Sequence, residues 1–377
     1  MCDMLELKFS ARFVIVFLLL LHGIMIGQNN GGERYHGIEI GSETRTLTSE
    51  INGKHYKMYI SLPEGYAENT TKKYPVFYVM DGQWHFIQVY SGYSGINYDG
   101  FLPEIIIVGL TYGGETPDYA TLRSSDFTPT RIKRFPESGG AKKFMEVLRN
   151  EIIPFVDKEY RTNGVDRALG GSSLGGLITH YALFNTPDLF NGYVICNASL
   201  LYDSGIPFQY EEAFSKEKSE INASVFMVSG EYDNVPMFEK MVTQIKSRKY
   251  RGLHLESRIL EDMGHGGATN EAFARGLLSI YKIRGISLEE EFLEEYTGNY
   301  EYAKGRYSTV LIQDGQLVLK RSPLAPPSKL YPLGNDKFSF MGNYRDFHFV
   351  RDEDGQISGY TAEYAKGKYV RLKKMTN

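Results

Sequence analysis

From Tyr56 onward, short apolar runs rich in β-branched and aromatic residues alternate with longer stretches whose apolar positions recur at helical spacing. That alternation marks βαβ units and a mostly parallel sheet. The runs predict strands at Tyr56–Leu62, Val76–Met80, Ile105–Leu110, Arg167–Gly171, Tyr193–Cys196, Val225–Ser229 and Leu253–Leu260. The helical spacing predicts helices at about Ala141–Lys158, Leu174–Phe184, Pro236–Arg248 and Asn270–Ile283. Three stretches, Trp84–Gly100, Tyr112–Gly140 and Leu200–Glu220, fit neither period. They follow strand ends, where α/β sheets bind ligands, and are the expected pocket walls.

The texture changes after Ile283. An acidic bridge, Glu289 to Glu295, leads into about 80 residues of polar and apolar alternation, with turns expected at Asp314-Gly315 and Asp354-Gly355. The segment EYAKGRY (Glu301 to Tyr307) recurs as EYAKGKY (Glu363 to Tyr369), which reads as two similar hairpins in one sheet rather than a solenoid. From Ile286 onward 13 basic residues balance 13 acidic ones. At the other end, Phe13 to Ile26 is apolar apart from His22 and Gly23, is preceded by Lys8 and Arg12, and is too short for a membrane span of about 20 residues. It has the layout of a secretory signal cleaved near Gly27, although Met25 stands where a small residue is usual, so an uncleaved anchor is the alternative. The expected organisation is a signal peptide over 1–27, an α/β catalytic domain over 28–285 and a β-rich domain over 290–377. Export to a periplasm or the cell exterior follows, with no membrane span left in the mature chain.

Composition narrows the function. Of 377 residues, 42% are hydrophobic and 23% charged, as in a chain with a substantial buried core. A net charge of −4 offers no field for a nucleic-acid backbone. The two cysteines, Cys2 and Cys196, cannot build a disulfide framework, and they imply no redox or metal chemistry.

Candidate chemistry centres on Gly171-Ser172-Ser173-Leu174-Gly175. This matches the Gly-x-Ser-x-Gly elbow, in which a serine projects from a sharp strand-to-helix turn. A serine nucleophile needs a base, and the base needs an orienting carboxylate; in α/β-hydrolases these follow the serine in the order acid, histidine. Four of the eight histidines follow Ser173. His180 lies about 10 Å further along the same helix, out of hydrogen-bond reach. His254 alternates within a strand, and His348 belongs to the C-terminal segment. His265, in the glycine-rich loop after the last predicted strand, is the expected base. The acid is expected at Gly230-Glu231-Tyr232-Asp233, where Asp233 is favoured over Glu231. An oxyanion hole needs two backbone N–H groups. Leu174 supplies one, and Gln83, after Asp81-Gly82, is expected to supply the other.

Taken together, YPVFYVMDGQ (Tyr74 to Gln83), R-x-x-D-F-T-P-T (Arg123 to Thr130), GGSSLGG (Gly170 to Gly176), GEYD (Gly230 to Asp233) and GHGG (Gly264 to Gly267) resemble a bacterial esterase family of α/β-hydrolases. Its members include trilactone siderophore esterases, feruloyl esterases, S-formylglutathione hydrolases and mycolyltransferases. The resemblance covers roughly residues 35–285. It implies Ser173 as nucleophile, Asp233 as acid, His265 as base, and the Gln83 and Leu174 amides as oxyanion donors. The Arg123 segment looks most like the siderophore-esterase branch. Arg123, with Trp84 in the neighbouring pocket wall, is therefore a candidate for substrate binding, although an ion pair between Arg123 and Asp126 is the equal alternative. Leu293 to Tyr300 resembles the start of small β-rich domains that trail some secreted serine hydrolases.

The expected function is an exported serine carboxylic ester hydrolase acting through an acyl-enzyme, without metal or cofactor, on a bulky ester such as a siderophore trilactone or a feruloylated sugar. An acyltransferase with the same triad is the alternative among enzymes. A binding protein on a hydrolase scaffold, gripping a glycan or partner through the C-terminal domain, is the alternative from another class. The oligomeric state is open.

Overall fold

The computed structural model describes residues 41–375 except Lys366. The expected signal segment, residues 1–27, lies outside the described residues.

Residues Ser42 to Ile280 form an eight-stranded sheet flanked by helices. Its strands are β1 (Ser42–Thr48), β2 (His55–Ser61), β3 (Tyr74–Met80), β4 (Ile106–Tyr112), β5 (Thr162–Ser172), β6 (Gly192–Cys196), β7 (Glu220–Gly230) and β8 (Arg251–Leu260), in the spatial order β1-β2-β4-β3-β5-β6-β7-β8. β1 and β2 run antiparallel to their neighbours. From β4 to β8 across the sheet every pairing is parallel. β3, β4 and β6 are buried along nearly their whole length, because helices cover both faces of a parallel sheet. The mostly parallel α/β reading is thus borne out. β1 is the one strand of this sheet that the apolar runs did not predict: its residues SETRTLT alternate exposed with half-buried positions along the sheet edge.

The three aperiodic stretches contain helices. α1 (Gly82–Tyr98) buries Gly82, Phe86, Val89 and Tyr93, a regular helical face. That face was masked in the sequence because Trp84, Ile87 and Tyr98 place apolar side chains on the exposed side. α2 (Tyr119–Phe127) is capped by the Asp118 carboxylate, which accepts the Thr121 N–H at 3.2 Å. The predicted helix from Ala141 is observed as α3 (Ala141–Val147), a π-helical turn (Leu148–Ile152) and α4 (Ile153–Glu159). Next come α5 (Leu174–Asn185) and α6 (Tyr202–Glu217). The start of α6 is bent by Asp203, Ser204 and Gly205, all at positive φ, with Pro207 close behind. α7 (Val235–Arg248) and α8 (Ala268–Ile280) complete the set. α1 packs on α8, with Gly92 facing Ala274, while α5 contacts α2, α3 and α6.

After α9 (Glu290–Glu294), eight antiparallel strands close into a barrel. They are β9 (Gly298–Ala303), β10 (Arg306–Gln313), β11 (Gln316–Lys320), β12 (Ser328–Gly334), β13 (Lys337–Phe340), β14 (Phe347–Arg351), β15 (Ile357–Ala365) and β16 (Lys368–Lys374). A barrel of this size is just wide enough for side chains to fill it. Tyr300, Phe338, Phe347, Phe349 and Tyr360 do so, ring against ring. Asp314 and Gly315 both take positive φ, 53° and 70°, the left-handed pair that a two-residue hairpin turn requires. The repeated heptapeptide forms the β9–β10 and β15–β16 hairpins. In each the first glutamate accepts the turn-glycine N–H, from Gly305 to Glu301 and from Gly367 to Glu363.

His180 of α5 is fully buried, with Nε2 against the Met241 sulfur at 3.3 Å, and burial pushes its pKa down to about 3. The folded state therefore refuses a proton that the unfolded chain binds below about 6.5, so stability falls as the pH drops through that window. Replacing His180 with Leu should remove about 1.6 kcal/mol of the stability lost between pH 6.5 and pH 5, because each pH unit is worth at most about 1.36 kcal/mol and the unfolded histidine is already half-protonated at pH 6.5. Denaturant unfolding at both pH values measures this, and an unchanged difference in the variant would refute it.

Candidate active site

All the sequence-predicted site residues lie beyond the C-terminal ends of parallel strands or on the adjoining helices. Ser173 follows β5, between that strand and α5, with φ 60° and ψ −118°. Such a conformation is strained for a residue with a side chain and is the mark of the nucleophile elbow. The turn is held by the Ser173 N–H, which donates to the Cys196 carbonyl at 3.1 Å, and by the Ser173 carbonyl, which accepts from Leu177 at 2.9 Å. Its tightness explains the first glycine of the motif. A Cβ on Gly171 would stand 2.3 Å from the Gly175 carbonyl oxygen. Ser173 is half-buried, whereas Ser172 is buried beside Cys196.

Asp233 and His265 meet. Nδ1 of His265 lies 2.6 Å from Oδ2 of Asp233, and the other oxygen of Asp233 accepts the Asn234 N–H at 2.7 Å. Glu231 is occupied elsewhere: its Oε2 accepts the Asp262 N–H at 2.9 Å and so pins the loop that carries the histidine. The imidazole is 56% exposed and the Asp233 side chain 20%, so the ring is open to solvent while the carboxylate it meets is largely screened.

Asn197, which belongs to none of the motifs, ties this corner together. Its Nδ2 donates to the His265 carbonyl at 2.6 Å, its Oδ1 accepts the Gly230 N–H at 2.9 Å, and its own N–H donates to the Val228 carbonyl at 2.9 Å. A lone asparagine after a short strand carries no sequence signal. Its φ of 41° is the left-handed conformation that asparagine tolerates better than most residues.

Gln83 and Leu174 stand in the first turns of α1 and α5, where backbone N–H groups have no intrahelical acceptor. The two turns abut, since a Cβ on Gly175 would lie 3.1 Å from Oδ2 of Asp81. Gly82 is required by a similar contact: its Cβ would collide with the Gly109 carbonyl carbon of β4 at 2.5 Å. The Gln83 side chain turns inward and accepts the Thr111 hydroxyl at 2.5 Å.

Arg123 pairs with Asp81 rather than with Asp126. Its Nε and Nη2 engage the two carboxylate oxygens at 2.5 and 2.7 Å, and the Asp81 side chain is sealed from solvent. The guanidinium lies 5.1 Å from the Trp84 ring and 5.9 Å from that of Phe127. Trp84 itself remains 48% exposed at the mouth of the site. Asp126 is bound by Lys54 and by the hydroxyls of Tyr56 and Tyr112, and burial holds its pKa above the usual carboxylate range.

Residues 49–251 match the family model described as "Putative esterase". The chain belongs to this esterase family. Ester hydrolysis is its chemistry, and the family resemblance carried by the five motifs is borne out. The chain is 25% identical to the ferri-bacillibactin esterase BesA of Bacillus subtilis over 224 residues, 55% of this chain and 75% of that one. It is 26% identical over 213 residues to the siderophore triacetylfusarinine C esterase of Aspergillus fumigatus, 54% of this chain and 73% of the relative. The crystal structure of the BES protein from Bacillus cereus superposes with a TM-score of 0.61 at 25% identity, covering 68% of this chain and 100% of that one. The family match ends before the barrel.

The Asp81–Arg123 pair generates a test. Removing one partner of a buried ion pair strands the other charge, at a cost of about 3–5 kcal/mol. Arg123→Ala should therefore lower unfolding stability by that order and depress ester turnover. Arg123→Lys, which keeps the charge but loses the fork, should fall between it and the parent. Denaturant unfolding and initial rates on an aryl ester check this; an Ala variant of parental stability would refute it.

Proposed function

We propose that this esterase is an exported serine carboxylic ester hydrolase that acts through an acyl-enzyme on bulky esters of the siderophore type. The reading rests above all on the 2.6 Å contact between His265 and Asp233, beyond the same C-terminal ends of the strands as the strained Ser173. Siderophore esters come from the two curated relatives, and export from the apolar run at Phe13 to Ile26.

In this mechanism Asp233 holds Nδ1–H of His265, which leaves Nε2 as the proton acceptor. Ser173 Oγ attacks the ester carbonyl carbon as its proton passes to Nε2. The carbonyl oxygen takes the negative charge and is met by the N–H groups of Gln83 and Leu174. Collapse breaks the bond to the alkoxide, which leaves with the proton from His265, and Ser173 keeps the acyl group. Water then repeats the sequence: His265 takes its proton, its oxygen forms the new bond to the acyl carbon, and Ser173 leaves reprotonated. Arg123, with Nε and Nη2 spent on Asp81, acts on the substrate chiefly by shaping the wall that carries Trp84.

Two variant pairs test the assignment. Ser173→Ala should lose several orders of magnitude in ester turnover with the fold intact while Ser172→Ala keeps most of it, and Asp233→Asn should cost far more than Glu231→Gln. Initial rates on short aryl esters, a feruloylated sugar and a trilactone measure both. Equal losses within either pair would overturn the role concerned. All the proposed groups precede Gly285, so we also propose residues 28–285 as the catalytic domain. A chain ending at Gly285 should hydrolyse a small aryl ester within about tenfold of the parent rate; a soluble, folded fragment without turnover would show that the barrel completes the site.

A further inference from the structure

A second cleft, of about 310 Å³, lies between the α/β sheet and the barrel. Its volume falls in the usual range for small-molecule sites, which favour such boundaries. β8 contributes Glu256 and Arg258 at alternate positions, hence on one face, and α8 with the residues just after it contributes Arg275, Leu278 and Lys282. The barrel contributes Tyr331 and Met341, and the turn after α1 adds Phe101. Phe101, Leu278 and Met341 are 36%, 37% and 48% exposed, so the walls present apolar surface to solvent.

The walls are fastened to each other. Tyr344 of the barrel donates its N–H to the Gly100 carbonyl at 2.6 Å, and Arg345 Nη2 donates to the Tyr98 carbonyl at 2.8 Å. On the far side the Ile286 N–H donates to the Pro332 carbonyl at 2.8 Å. The cleft is therefore a built feature of the boundary rather than a gap between loosely tethered bodies.

Its charge runs against that of the whole chain, which is −4. Three cations, Arg258, Arg275 and Lys282, line it against the single carboxylate of Glu256. Lys282 reaches Glu256 at 3.5 Å, and Arg275 is paired with Glu271 one turn back on α8. The Arg258 side chain has no ion pair or hydrogen bond among the described residues, its backbone being paired in the β7–β8 ladder. A guanidinium left free beside a phenol, a phenyl ring and aliphatic side chains is the pattern that recognises an anion carried on an apolar body.

We propose that this cleft is a binding site for a small amphipathic anion, an aromatic carboxylate or sulfonate, whose charged group meets Arg258 while its apolar body lies between Leu278 of α8 and Tyr331 and Met341 of the barrel. None of the residues lining the cleft is one of the candidate active-site residues. Leu278 lies about 15 Å along α8 from Ala268, which adjoins the loop of His265. The proposal does not rest on the triad assignment, and it gives the barrel a role as one wall of a ligand site.

Fluorescence titration of the full chain with 8-anilinonaphthalene-1-sulfonate, alongside N-phenyl-1-naphthylamine, which has the same aromatic body without the sulfonate, tests it. One sulfonate dye per chain should bind saturably. Arg258→Glu should weaken that binding at least tenfold, Arg258→Lys less than threefold, and neither should alter binding of the neutral dye or aryl-ester turnover. Tyr331→Ala, on the barrel side, should weaken both dyes. Absence of saturable binding, sulfonate binding indifferent to Arg258→Glu, or a loss matched by the neutral dye would overturn the proposal. So would dye binding that persists unchanged in Tyr331→Ala, because the barrel would then be no part of the site.

Discussion

A carboxylate held in a left-handed turn and shut off from water is tolerable only if a matched cation answers both of its oxygens. Asp81 is in that position, and Arg123 answers it. The pair joins the end of β3 to α2, and Oδ2 of Asp81 borders the α5 turn at Gly175. The two N–H groups assigned to the oxyanion sit at either side of this junction. The ion pair braces the junction between them, with the Trp84 and Phe127 rings 5.1 and 5.9 Å from the guanidinium. In the proposed mechanism the carbonyl oxygen is therefore met by groups whose support lies in charges one layer behind them.

The histidine corner is held differently, by neutral hydrogen bonds. Asn197, at the end of β6, reaches both the end of β7 and the loop after β8, so three consecutive strand ends share one amide. Glu231 secures the other side of the same loop. The imidazole is more than half exposed, while the backbone beneath it is fixed from two directions.

Much of this was legible in the chain. Buried parallel strands are continuous apolar runs, so all seven predicted strands of the sheet are found, and the elbow announces itself because steric closeness demands glycine at fixed offsets. What escaped detection has physical reasons. α1 carries apolar residues on both faces, and α6 begins with three left-handed residues and a proline, so neither shows a clean helical period. β1 is a half-exposed edge strand without an apolar run. The choice of Asp81 over Asp126 as the partner of Arg123 is made across 42 residues by tertiary packing, and no local spacing encodes it. The role of Asn197 is likewise a property of where three strands end, visible only once they are side by side.

The barrel has a temporal consequence. Its seam joins β9 to β16, the first and last of its strands to be synthesised, through Lys373 opposite Glu301 and Lys374 opposite Tyr300. During translation the α/β sheet has all its strands before any of the barrel exists, whereas the barrel keeps two unpaired strand edges until β16 is made. Those edges are templates for pairing with other chains. The repeated glutamate-capped hairpins stand on either side of the seam. Loss of β16 would leave β9 and β15 with unpaired edges on a barrel that cannot shut, and such edges invite aggregation.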